Sequence, residues 1–406
     1  MKKIVFSLLA LFISVSFSMA QLNISGVAQL GLDNEAKVTQ VGFLNHSLVM
    51  QVGYDNLADV KQFGVLNLSL VNQMISCQSK AYVDQCGFNM SVINQFCTYK
   101  NYADVKQMWF HNMSYVDQYG GWFNKAYVRQ YGVFNLAYIE QCRGYHNMAY
   151  IGQKGSWNKA EIYQWRGKYN KAAVLQIGRC NWAKIFQGSG CHNSAGILQI
   201  GRGNDAWITQ ECGFFNNAGI LQDGGCNDAG IAQRRGKNNT ALIHQKGYRN
   251  WAKVYQACGS HNVALVEQVG GCNDAFIKQL SGHYNNAAVV QVGKCNNAAI
   301  SQYKGCSNMA LILQKGKRNY AGILQCNGVG NKAAIVQWGT DNYAGIAQKC
   351  GTNNKAAIVQ VGHCNLAGIV QVGGHNNTAG ILQIGCGNKN GIKRRQIHLM
   401  ARNRLS

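Results

Sequence analysis

The residues best suited to chemistry are sixteen cysteines, ten histidines and sixteen carboxylates in a chain of 406 residues. A metal centre needs Cys or His at paired spacings, because a divalent ion takes about four ligands in a fixed geometry. Cys191-His192 and His363-Cys364 each set two soft ligands side by side, yet no C-x-x-C pair and no second such pair at matched spacing occurs. The carboxylates stand mostly singly, with no pair recurring as a general acid and base would require. No Ser-His-Asp set and no glycine-rich phosphate loop stands apart from the surrounding sequence. The expectation is a protein that is not an enzyme, with no cofactor and no metal residue.

Amide chemistry is the regular feature. Gln recurs at 29, 40, 51, 62, 73, 85, 95, 107, 118 and 130, and on to 360, 371 and 383, in 32 units. From Gln95 the steps alternate between 12 and 11 residues, a period of 23, whereas the first three double steps are 22. Asn lies six residues before each Gln except where Ser79 replaces it, Ala or Ser lies four before, and Val or Ile two before. A buried amide left unpaired costs about 1–3 kcal/mol. Identical amides stacked in register satisfy one another, each donating its NH₂ to the carbonyl above and accepting from below. Asn34, Gln40, Asn45, Gln51, Asn331, Gln337, Asn354, Gln360, Asn377 and Gln383 represent this assembly ladder.

Such ladders dictate the elements that hold them. Spacing of two is the strand period, so Asn, Ala, Ile and Gln of one unit share a face. The four or five residues between units are rich in Gly, Asn, Ser and charge, as tight arcs require. Each 22 or 23-residue period then reads strand, arc, strand, arc. The expected fold is all-β, a flattened two-sheet β-solenoid of about 16 rungs whose stability comes from stacking. The composition agrees, with Pro 0, Gly 47 and only 14% charged residues. Proline would remove a ladder donor at almost any strand position.

Residues 1–20 read as a secretory signal: Lys2 and Lys3, an apolar run from Ile4 to about Phe17, then Ser18-Met19-Ala20. The repeat solenoid is assigned to 21–389, and a degenerate repeat with a basic tail to 390–406. In that tail Arg394 falls in the inward Ile slot, an arrangement that blocks an edge. Lys393, Arg394, Arg395, Arg402 and Arg404 are read as an edge cap or surface anchor. Asn23 to Gln40 forms a first rung with no polar cap, an open edge that can template another chain.

Asn331-Lys332-Ala333-Ala334-Ile335-Val336-Gln337-Trp338-Gly339 and Asn377-Thr378-Ala379-Gly380-Ile381-Leu382-Gln383-Ile384-Gly385 resemble the curlin repeat of bacterial curli fibre subunits, over about 23–385. The resemblance implies a functional amyloid of a Gram-negative bacterium, secreted through an outer-membrane export pore and polymerised at the cell surface. Such fibres serve biofilm cohesion and cell adhesion, and other curlin-like subunits are expected partners. The chain departs from the family pattern in its length, its many cysteines and its basic charge.

All sixteen cysteines fall in arcs, one to four residues after a Gln. Cys272 and Cys295 are 23 residues apart at the same arc offset, which makes them the candidate disulfide. The formal charge is +23, or +21 without Lys2 and Lys3, and suits anionic polymers such as extracellular DNA or polysaccharide, bound non-specifically. Tyr115 with Tyr138 and Tyr127 with Tyr150 are expected to stack outward. Gly196, Gly219, Gly230, Gly322, Gly345, Gly368 and Gly380 are expected to leave a low face where another sheet can lie. The competing reading of the whole is a monomeric, disulfide-stapled solenoid adhesin that binds anionic surface polymers.

Overall fold

The computed structural model describes residues 22–390. The expected signal segment and the tail residues Lys393, Arg394, Arg395, Arg402 and Arg404 lie outside the described residues. The architecture is all-β, with no helix among the described residues, and its parallel stacked coils make about 16 rungs of a β-solenoid. The chain forms two compact units, one ending at Glu161 and the other beginning at Ile162.

In the first unit Ile24–Leu32 pairs in parallel with His46–Tyr54, matching Gln29 to Gln51. Glu35–Phe43 pairs likewise with Leu57–Val65, matching Gln40 to Gln62. Each strand therefore hydrogen-bonds the strand next but one, and successive strands belong to a first and a second sheet in turn. The period changes at Ile75, which is inserted opposite the step from Val52 to Gly53 with φ 53°. That bulge lengthens the arc after Gln73 from four residues to five. Lys80–Phe96 and Tyr102–Tyr119 run continuously around an arc and serve both sheets.

The second unit is more regular. Seven-residue strands such as Trp182–Gly188 and Asp205–Glu211 build its first sheet, and nine-residue strands such as Lys171–Arg179 and Ser194–Arg202 its second. A four-residue arc leads from the second sheet to the first and a five-residue arc leads back. The four-residue arc needs glycine: Gly224 has φ 125°, and a Cβ there would collide with the Gly247 carbonyl of the next rung. Ala206, Ile208, Ala229 and Ile231 face inward at 0% exposure, in one layer with Gln210 and Gln233. The core is thus one rung deep and repeats along the stack.

Candidate functional site

Every glutamine of the repeat is placed by strand alternation on the inward face, where stacking in register sets it against its counterpart. Gln222 Nε2 donates to Gln245 Oε1 at 3.0 Å, and Gln245 Nε2 to Gln268 Oε1 at 2.9 Å. The second amide hydrogen crosses the core to main chain of the opposite sheet, as from Gln245 Nε2 to the Asp228 carbonyl at 2.9 Å. Gln40, Gln51, Gln337 and Gln360 donate in the same sense, to Gln62, Gln73, Gln360 and Gln383, each at 2.8 Å. Gln donors in these ladders point toward the C-terminal neighbour.

The asparagines divide by arc length. After a four-residue arc, Asn donates backward to the preceding rung: Asn67 Nδ2 to Asn45 Oδ1 at 2.9 Å, and Asn56 Nδ2 to Asn34 Oδ1 at 2.9 Å. After a five-residue arc the amide goes to main chain instead. Asn331 Nδ2 donates to the Gly351 carbonyl at 3.0 Å, and its Oδ1 accepts from the backbone N–H of Asn354 at 2.9 Å. Asn377 likewise donates its backbone N–H to Asn354 Oδ1 at 2.9 Å. For Asn331, Asn354 and Asn377 the expected amide-to-amide ladder is therefore replaced by a side-chain to main-chain one. A glycine carbonyl of the next rung takes Nδ2 after either arc, as Gly224 does for Asn204 at 3.0 Å, and after the shorter arc Asn204 Nδ2 also reaches Asn181 Oδ1 at 3.1 Å. Ser79 keeps the network closed in its Asn slot: its N–H donates to Asn56 Oδ1 at 3.1 Å, and its hydroxyl meets Thr98 Oγ1 at 2.9 Å.

The ladders have open ends. Gln29 and Gln40 donate forward, but among the described residues no donor reaches their Oε1 atoms. At the other end Gln383 Nε2 donates to the Leu366 carbonyl, with no further glutamine of its ladder ahead of it among the described residues. Ile24, Val27, Leu30 and Leu32 of the first described strand, and Leu382 and Ile384 of the last full one, are exposed.

The thiols behave differently from expectation. All sixteen are free, Cys272 and Cys295 included. Both adopt φ 56° at equivalent arc positions. A parallel shift by one rung separates their Cβ atoms by about 4.8 Å, beyond the roughly 3.5–4.5 Å a disulfide accepts. Identical backbone geometry suits a ladder and not a bridge. Among the described residues no group of three or more His, Cys, Asp or Glu is placed to hold a metal.

Outward residues form files of their own. Tyr115 registers with Tyr138 and Tyr127 with Tyr150, and Tyr102 packs between Tyr82 and Tyr127 at 5.4 Å to each ring. The left-handed residue before the repeat Asn also carries rings, which strand alternation gave no reason to expect. His192 stacks between Tyr169 and Phe215 at 4.9 and 4.8 Å, and His146 stacks on Phe123 at 4.7 Å. Four histidines immediately before a repeat Asn (111, 146, 192 and 261) were the available signal. Gly230 does not leave space for another sheet, because the Trp207 ring lies where its Cβ would be. Asp205 stacks in register on Asp228. Burial, then the charge of Asp228, pushes the Asp205 carboxyl up to about 6.

The family model of the curlin associated repeat matches residues 31–64, 124–164, 236–270 and 351–385. No curated protein matches the chain.

Proposed function

We propose, from the premise that the chain belongs to the curlin-repeat family, that it is a self-assembling subunit of extracellular curli-like fibres. The repeats and the β-solenoid fit a curli-like structural protein. The finer reading is that copies add end to end, in fibres that serve biofilm cohesion and adhesion. Partners in this reading are further copies of the chain, other curlin-like subunits and an outer-membrane export pore. Anionic polymers are incidental ligands of a basic surface.

The observation that supports end-to-end growth is the polarity of the glutamine ladders. One end offers the acceptors Gln29 Oε1 and Gln40 Oε1, and the other offers the donor Gln383 Nε2. Head-to-tail stacking joins donor to acceptor, whereas head-to-head stacking sets acceptor against acceptor. The arrangement is heterologous, and repeated without closing on itself it gives filaments. Incubating the purified chain with and without reductant is the test. The reading predicts fibres with a meridional reflection at about 4.8 Å under both conditions. A stable monomer under both conditions overturns it.

A further inference from the structure

The unit from Ile162 onward has two unlike faces. On its first sheet, large outward side chains fold over their neighbours. Trp207 covers Gly230, Lys253 sits 5.1 Å from the Trp207 ring, and Phe276 is buried with Ala299 under Trp251 and Tyr320. On its second sheet, aliphatic side chains stand out with little over them. Leu175 is 39% exposed, Leu311 38% and Leu265 37%.

These aliphatics form a relief. The slot just before Gln is large, with Leu175, Leu198 and Leu221 on successive rungs of the second sheet, and large again at Leu313, Val336 and Val359. The slot two residues earlier is small on most of the same rungs: Ala173, Gly196 and Gly219, then Ala334 and Ala357. A ridge of Leu and Val thus runs beside a furrow of Ala and Gly, interrupted at Gly219, where Leu242 leans across, and at Leu311 beside Leu313. At the two middle rungs the order inverts, with Leu242 and Leu265 in the furrow and His244 and Glu267 in the ridge.

We infer that this face pairs with the same face of a second copy, the ridge of each lying in the furrow of the other. Self-complementary relief of this kind is what dry sheet-to-sheet interfaces require. The area suffices as well. Nine spacings of about 4.8 Å between its ten strands, by six spacings of about 3.3 Å along seven residues, span about 850 Å² per copy. That is about 1,700 Å² for the pair, the size of a standard stable interface. Charge opposes the contact, because residues 162–390 carry 22 Lys and Arg against seven Asp and Glu, a net +15. Salt therefore strengthens this pairing by screening like charges, whereas it would weaken attachment of a polyanion. The inference stands independently of end-to-end growth, since a single chain carries the whole face.

The test follows the full chain by sedimentation velocity and electron microscopy at about 50 and about 500 mM NaCl. The Leu313→Glu/Val359→Glu variant changes the second sheet, and Thr209→Glu/Ser301→Glu is the control on the first. A milder Leu313→Ser/Val359→Ser variant stands in if the charged pair alters the circular dichroism spectrum. Wild type and control should form laterally paired particles that increase with salt. The second-sheet variants should remain single, with pairing weakened at least about tenfold, while their growth along the stack is unchanged. Unpaired wild type at both salt levels overturns the inference. So does pairing by the second-sheet variants equal to wild type, or association that needs added DNA and fades with salt.

Discussion

Gln222 and Gln29 occupy the same slot of the same repeat, one inside a stack and the other at its end. Gln222 is 0% exposed, between Gln199 and Gln245. Gln29 is exposed and bonded on one side only, to Gln51. The apolar slot behaves alike, with Ile220 3% exposed and Val27 38%. Nothing in the local sequence separates the two situations, because each unit repeats the same inward pattern of amide, small, β-branched and amide residues. The neighbour above or below is what completes a rung. In the proposed assembly, addition of another chain is driven as folding along the chain is, at about 25 cal/mol per Å² of apolar surface covered.

Removing an inner amide is the most severe way to probe that contrast. Gln245→Leu would leave the Gln222 donor, the Gln268 acceptor's position in the ladder and the Asp228 carbonyl without their partner. We expect a loss of about 3 kcal/mol or more, measured by denaturant unfolding. Gln40→Leu, at the end, should cost less than half as much in the isolated chain and still slow fibre growth. Equal losses at the two sites would break the comparison.

A smaller effect comes from like charges that stacking sets together at half-buried outward positions. The folded-state pKa of Asp205 lies near 6, above the unfolded value of about 4. Burial also raises Asp228, with Lys253 opposing. The folded chain therefore holds more protons than the unfolded one. This contribution to stability is fully present below about pH 4 and is lost as pH rises through about 6. Thermal melts should show that decline, and Asp205→Asn should flatten it.

Much of the fold is legible in the sequence, because inward slots repeat at two and rungs at 22 or 23. The arcs are not. Ile75 at φ 53° and Trp109 at φ 83° occupy backbone positions that their residue types disfavour, so type alone does not reveal them. The division of labour among asparagines was hidden for a related reason. Whether Nδ2 reaches the preceding amide as well as a main-chain carbonyl depends on arc length, which sets geometry without changing the Asn. The Cys272 and Cys295 spacing was readable, but the parallel direction of their Cβ atoms follows only from the shared φ. Trp207 over Gly230 is a contact between rungs, and a repeat aligned on itself does not show which neighbour leans across.

Seeded growth tests the central claim most directly. An inward arginine on the first described rung, Ala36→Arg, should leave the inner rungs folded and block that end to a further copy. Wild-type seeds given this variant alone should take up about one copy each and then stop, since each added copy presents a blocked end. Elongation by the variant at the wild-type rate would contradict the account.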